Sequence, residues 1–313
     1  MDALEEAFYH GVGYHAAPNE VRSWQRSLPV LANDLLDAGL DQVEVLLEYR
    51  LPLTSKRADV VLCGVHPRTG QPSYVVIELK QWTRATPLDG AEDVVVSADF
   101  PGERLHPVEQ VRRYCVHISD FVASLGGRMD QLAGAAYLHN AADGDVDGLF
   151  DLEATDQGRL FTGSHRGAFQ DFLKGKLAPT SGADAADQLA ASAVRPSKQL
   201  LALAAEEVQH REQFVLLDEQ QTAYSLVMRA VQRSYSANTK QAVIVTGGPG
   251  SGKSVIALSL LGELSRQGRT VLHATGSSAF TMTLRKVAGQ RAPRVKGMFK
   301  YYNQFIVKSL IVV

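Results

Sequence analysis

The sequence predicts a mixed α/β chain in two parts, an α+β domain followed by the first portion of a parallel α/β domain. Three observations carry that reading. Strand-like runs at 43–49, 58–65 and 74–79 are separated by turn-forming segments, Pro52 to Lys56 and Pro67 to Pro72. A second apolar run at 242–246 leads through a glycine-rich turn into a helical pattern at 255–267. Between them, Thr180 to Ser192 is rich in Ala, Gly, Ser and Asp and reads as a linker. A length of 313 residues is enough for two separate cores.

Taken in order, the first element expected is a helix over about 19–38, where Trp24, Leu28, Leu31, Leu35 and Leu36 recur near a 3.6-residue period. Asn19 is its expected N-cap, Gly39 its stop, and Pro29 a point of kinking or breakage. The three strands follow as a meander. An irregular stretch, a helix over 107–125 and a short strand over 134–138 complete a first domain bounded at 1–178. Residues 179–212 are expected to hold the linker and a connecting helix from Lys198 to His210, and 213–313 the second domain.

Composition narrows the function. At 45% hydrophobic and 21% charged residues, the chain is neither disordered nor fibrous. No apolar run approaches the roughly 20 residues that span a bilayer, and the acidic start Met-Asp-Ala-Leu-Glu-Glu is unlike a signal peptide. Cys63 and Cys115 have no metal or redox spacing. A cytoplasmic protein without membrane partners is expected. The net charge of −2 hides an asymmetry: after Glu263 there is no Asp or Glu, yet nine cations occur, from Arg266 to Lys308. Such a stretch suits a phosphate-rich polymer; a solvated basic face is the other reading.

The most specific motif runs from Gly247 to Ser254, G-x-x-x-x-G-K-[ST] between a predicted strand and helix. The glycines Gly247, Gly248, Gly250 and Gly252, with Ser251, let backbone N–H groups wrap phosphates where a side chain would intrude. The helix N-terminus and Lys253 add positive charge, and Ser254 offers its hydroxyl to Mg²⁺. Upstream, Leu217-Asp-Glu-Gln-Gln221 resembles the adenine-recognising glutamine motif of superfamily 1 helicases, so Gln221 is expected to select ATP. After the next strand, at 270–274, Ser277 and Ser278 are candidates for touching a nucleic-acid backbone. The downstream carboxylate that hydrolysis needs is missing from this sequence, which leaves nucleotide binding expected and hydrolysis open.

The second constellation lies in the predicted meander. Glu78 and Lys80, two apart on a strand, share a face, and Asp59 sits on the preceding strand. An acid followed by Glu-x-Lys on the next strand is the pattern of the PD-(D/E)xK nucleases. Two carboxylates and the Leu79 carbonyl supply hard oxygen ligands suited to Mg²⁺ or Mn²⁺, which activates water and stabilises charge on the scissile phosphate. Lys80 would position the water or neutralise that charge. Gln110 and Tyr114 match the Q-x-x-x-Y helix motif of RecB-like nucleases, one turn apart. Glu20 is a further metal-ligand candidate, and Glu48, opposite Asp59 across a hairpin, ranks just below it. Arg57 and His106 read as a salt-bridged arginine and a loop-capping histidine ahead of phosphate contacts.

The whole chain resembles bacterial proteins that fuse a PD-(D/E)xK nuclease to a Schlafen-type superfamily 1 DNA/RNA helicase. The matching phrases include Ser23-Trp24, Glu48-Tyr-Arg-Leu-Pro52, Arg57-Ala-Asp59, Glu78-Leu-Lys-Gln-Trp82, His106-Pro107, Pro196-Ser-Lys198 and Leu216-Leu-Asp-Glu-Gln-Gln221. The resemblance implies a restriction-endonuclease-like α+β nuclease domain followed by a partial RecA-like P-loop domain. It implies a nuclease acting on DNA, with RNA left open, in some relatives as defence against phage. The expected protein partner is a second copy or a C-terminal helicase half beyond this sequence. The alternative is a nucleotide-dependent module that binds nucleic acid or a partner without cutting.

Overall fold

The computed structural model describes residues 2–195, 214–289 and 296–302, and these fall into two units, 1–195 and 196–313. The expected connecting helix at 198–210 lies outside the described residues.

The first unit is built on a five-stranded mixed sheet. Helices α1 (Asp2–Val12) and α2 (Pro18–Asp37) precede the antiparallel meander β1 (Glu44–Arg50), β2 (Arg57–Val65) and β3 (Pro72–Lys80). Helix α3 (Pro107–Phe121) leads to β7 (Leu132–Leu138), which runs parallel to β3, and β8 (Arg159–Thr162) adds a parallel edge. Helices α4 (Arg166–Lys176) and α5 (Ala183–Ala190) complete the unit, and the sheet order is β1-β2-β3-β7-β8. The central strand β3 is buried on both faces, which is why 74–79 is a continuous apolar run and not an alternating one. One face, with Val60, Leu62, Val75, Ile77 and Tyr137, packs on Leu31 and Leu35 of α2 and on Phe169 and Leu173 of α4. On the other, Val108 of α3 packs on Ala136 and Leu138, and the Tyr74 hydroxyl donates to the Ala185 carbonyl of α5 at 3.1 Å. Cys63 and Cys115 are buried thiols; burial raises Cys63 to about 12 and Cys115 further, so both are neutral core residues.

Several expectations change here. Asn19 is not the cap of α2. Ala17 occupies that position, Pro18 begins the helix, and the Glu20 carboxylate accepts the Ala17 N–H at 2.7 Å. Pro29 does not break the helix: it and Gln25 lie on the exposed side, where water can satisfy the carbonyl that Pro29 leaves unbonded. The expected irregular stretch after Lys80 forms a separate antiparallel sheet of β4 (Thr86–Leu88), β5 (Ala91–Ser97) and β6 (Phe100–Leu105). The expected linker contains α5, whose Ala185, Ala186 and Leu189 are buried. It is seated through Gly182, where an added Cβ would lie 2.0 Å from the Cys63 carbonyl oxygen.

His106 caps α3, its Nδ1 accepting the Val108 N–H at 3.1 Å while Nε2 lies 3.2 Å from the Leu149 carbonyl. That arrangement uses the neutral imidazole, and burial pushes it down to about 4 from 6.5. On acidification the unfolded chain therefore takes up the proton first. Stability is intact above pH 6.5 and lost as pH falls from there toward 4, by about 2 kcal/mol at pH 5. Melting temperature compared at pH 7 and pH 5 should fall more for the wild type than for His106→Gln. An equal fall would remove His106 as the cause.

The second unit contains α6 (Glu219–Ala237), α7 (Lys253–Arg266), β9 (His273–Thr275), α8 (Ser278–Gly289) and β10 (Phe299–Tyr301), with β9 and β10 parallel. Leu258, Leu261 and Leu264 of α7 pack with Val271, Leu284 and Phe299. The expected buried strand at 242–246 is absent: Val243, Ile244 and Val245 form no strand, and Ile244 is 86% exposed. A parallel central strand is buried only between partner strands, and the two-stranded sheet of the described residues pairs β9 with β10 without this segment.

Candidate functional site

In the first unit the candidate residues gather where β2 and β3 end. The register pairs Val60 with Ile77, so one step further Asp59 faces Glu78 across the strands. The Leu79 N–H donates to Asp59 Oδ2 at 2.8 Å, tying Asp59 to the strand that carries Glu78. Glu78 is buried, 4% exposed, and its Oε1 lies 2.6 Å from Lys80 Nζ. A carboxylate buried so deeply is stable as an ion only beside compensating charge, and Lys80 provides it. On α3, Gln110 and Tyr114 are joined by a 2.9 Å hydrogen bond from Gln110 Nε2 to the tyrosine hydroxyl.

Glu20 and Glu48 are arranged around Arg57. Arg57 Nη2 contacts Glu20 at 2.6 Å, its Nε contacts Glu48 at 2.8 Å, and Nη1 donates to the Tyr14 hydroxyl at 2.7 Å. Trp24 Nε1 donates to the other Glu48 oxygen at 2.7 Å. Glu48 lies between the pairs Leu47–Val60 and Tyr49–Ala58, opposite Asp59, with a left-handed φ of 52°. Glu48, Asp59 and Leu79 line one narrow crevice with Ser27 of α2. Among the described residues no three His, Cys, Asp or Glu side chains converge as a metal cluster. The two oxygens of Glu20, a further expected ligand, serve the Ala17 N–H and Arg57. The oxygen donors whose chemistry suits a hard cation are Asp59, Glu78 and the Leu79 carbonyl, with water or phosphate needed for the remaining positions.

In the second unit, Gly250 and Gly252 adopt φ of +77° and +86°, conformations open to glycine. At Gly247 an added Cβ would approach Ser251 Oγ to 2.6 Å. Lys253 Nζ folds over the loop, donating to the Gly247 carbonyl at 2.6 Å and the Gly248 carbonyl at 2.8 Å. Lys253 and Ser254 border an open cleft of about 310 Å³ with His273, Thr275 and Tyr302.

The glutamine nearest this loop is Gln220, which the sequence reading passed over. Its Nε2 donates to the Ser251 carbonyl at 3.2 Å and its Oε1 accepts the Leu217 N–H at 3.3 Å. Gln221 is buried on α6 and donates to Ser225 Oγ at 3.2 Å. Adjacent glutamines differ by a 100° turn of the helix, and the pair Gln221–Ser225, one turn apart, was the available sign that Gln221 faces inward. Ser277 caps α8, its Oγ accepting the Phe280 N–H at 3.2 Å, while Ser278 is exposed. Of the basic stretch, Arg266 pairs with Glu263 and Arg269 lies 3.9 Å over the Tyr235 ring. Arg285 donates to the Phe299 carbonyl, and Lys286 and Lys296 are exposed. Arg291, Arg294 and Lys308 lie outside the described residues.

Residues 240–310, which contain this loop, match the family model described as Schlafen group 3, DNA/RNA helicase domain. That stretch of the second unit is thus similar to a Schlafen-type helicase region. The match covers a minority of the chain. Comparisons with curated proteins and with solved structures returned no match. No helix of the described residues is long and apolar enough to cross a membrane.

Proposed function

We propose that the first unit is a metal-dependent nuclease of the PD-(D/E)xK type, coupled to an ATP-binding, RecA-like helicase module in the second, with DNA as the favoured substrate. The observation that carries the reading is the placement of Asp59 opposite Glu78 with Lys80 Nζ 2.6 Å from the Glu78 carboxylate. Asp59 is oriented by the Leu79 N–H, which donates to its Oδ2. Lys80 holds positive charge beside Glu78, where it can stabilise a phosphate in the transition state. Gln110 and Tyr114 act as a hydrogen-bonded pair toward the substrate. A bound Mg²⁺ or Mn²⁺ supplies Lewis-acid stabilisation of charge on the scissile phosphate. In the second unit, Gly247 to Ser254 holds the ATP phosphates, with Lys253 moving from the loop carbonyls to them and Ser254 serving the nucleotide's Mg²⁺. Gln220 steadies the loop, and Gln221 reaches the adenine only if α6 adjusts. A role in phage defence follows from the resemblance alone.

The absence of a three-side-chain metal cluster among the described residues favours one other reading, a nucleotide-dependent module that binds DNA without cutting. Labelled single- and double-stranded DNA and RNA, incubated with the full chain in Mg²⁺, Mn²⁺ or EDTA, with and without ATP, separate the two. The nuclease reading expects DNA products in Mg²⁺ or Mn²⁺ and none in EDTA. Intact substrates in every metal, with DNA retained on the protein, support the non-cleaving module.

A further inference from the structure

Beyond Lys80 the chain carries an aromatic pair that no step above uses. The Trp82 and Phe100 rings are tilted against each other with centroids 4.6 Å apart. Lys80 Nζ stands 5.3 Å from the Trp82 ring centre, and the Arg104 guanidinium lies 5.8 Å from that of Phe100. Both rings pack against the core that includes Val95, Val108 and Ala136 and remain only partly buried; Arg104 is exposed. The result is a continuous series from Glu78 through Lys80, Trp82 and Phe100 to Arg104. Trp82 follows the end of β3, and Phe100 and Arg104 both belong to β6 of the small sheet.

We propose that Trp82 and Phe100 form a stacking platform for unpaired bases of a single-stranded nucleic acid held beside Lys80. Aromatic faces flanked by cations suit this ligand: bases stack on the rings in a sequence-tolerant way, while Lys80 and Arg104 meet the phosphates. A duplex keeps its bases paired within the stack and offers the rings nothing but its ends. The platform deepens the nuclease reading, on which it rests, by making the preferred substrate single-stranded. If the rings served the core alone, their loss would lower stability without distinguishing a strand with bases from one without.

The test uses the full chain in EDTA, so that cutting does not intervene, and fluorescence anisotropy of three labelled probes of about 20 units: oligo-dT, an abasic strand with the same backbone, and a blunt duplex. Wild type is expected to bind oligo-dT about tenfold tighter than the abasic strand, and tighter than the duplex. Phe100→Ala should lose about tenfold on oligo-dT and little on the abasic strand. Trp82→Phe, which keeps a ring, should retain the base preference, and Arg104→Ala should weaken both strands alike. Equal wild-type binding of the two strands overturns the platform, as does tighter binding of the duplex or an equal loss on both strands in Phe100→Ala. A base preference without any cutting in Mg²⁺ or Mn²⁺ sinks the nuclease reading alone; cutting without a base preference sinks the platform alone.

Discussion

Glu78→Gln is expected to lower the rate of DNA cleavage about a thousandfold, roughly 4 kcal/mol of transition-state stabilisation. The exchange is nearly isosteric and sits on a strand buried on both faces, so the change in shape is small. What it removes is the negative charge opposite Asp59 and against Lys80. Binding of oligo-dT should change little, because that charge is not a contact to bases. Lys80→Ala should show the same fall through loss of the cation. A loss of binding as large as the loss of rate would instead mean that Glu78 holds the fold of the substrate surface.

Asp34→Ala is expected to cost the first unit about 3 kcal/mol and lower its melting temperature by about 10 °C. Asp34 is fully buried and gathers three elements: it accepts the Tyr137 hydroxyl of β7 at 3.1 Å and Gln170 Nε2 of α4 at 2.9 Å, and it pairs with Arg166 Nε. Arg166 is partly exposed and can turn to Asp37, so its own loss is small. The cost comes from the buried Tyr137 hydroxyl left without its acceptor and from the space vacated. Burial and the adjacent Asp34 carboxylate hold the Tyr137 phenol far above its ordinary range, so it stays a donor throughout. Asp34→Asn keeps size and an acceptor and should cost less than half as much. A thermal shift within about 2 °C of wild type for Asp34→Ala would remove this cluster from the account of stability.

The central strands were legible because β3 is both apolar and interrupted by Glu78 and Lys80 at a spacing of two, a pattern that marks a strand and puts both side chains on one face. The apolar run of β2 likewise placed Asp59 near the start of a strand. The small sheet was not legible: β4 is the tripeptide Thr-Pro-Leu, and β6 contains Pro101 and Gly102, so propensity argued against strands that pairing stabilises. Helix α5 was hidden by its small residues, although Ala185, Ala186 and Leu189 mark one helical face. The glycine and lysine spacing of 247–254 marked the turn before α7, where Gly250 and Gly252 adopt positive φ. The choice between Gln220 and Gln221 depends on how α6 is rotated against the loop, and Ser225, one turn beyond Gln221, is the sign of it that the sequence offers. That the Glu20 carboxylate meets a helix end and Arg57 was not legible, since sequence shows a carboxylate but not its partners.

The most direct test is the rate at which wild type and Glu78→Gln, each shown to be folded by its thermal melt, cut the same labelled single-stranded DNA in Mn²⁺. The account predicts metal-dependent products from the wild type and about a thousandfold fewer from the variant. Equal rates, or a wild type that cuts as well in EDTA, would contradict a metal-dependent centre at Asp59, Glu78 and Lys80.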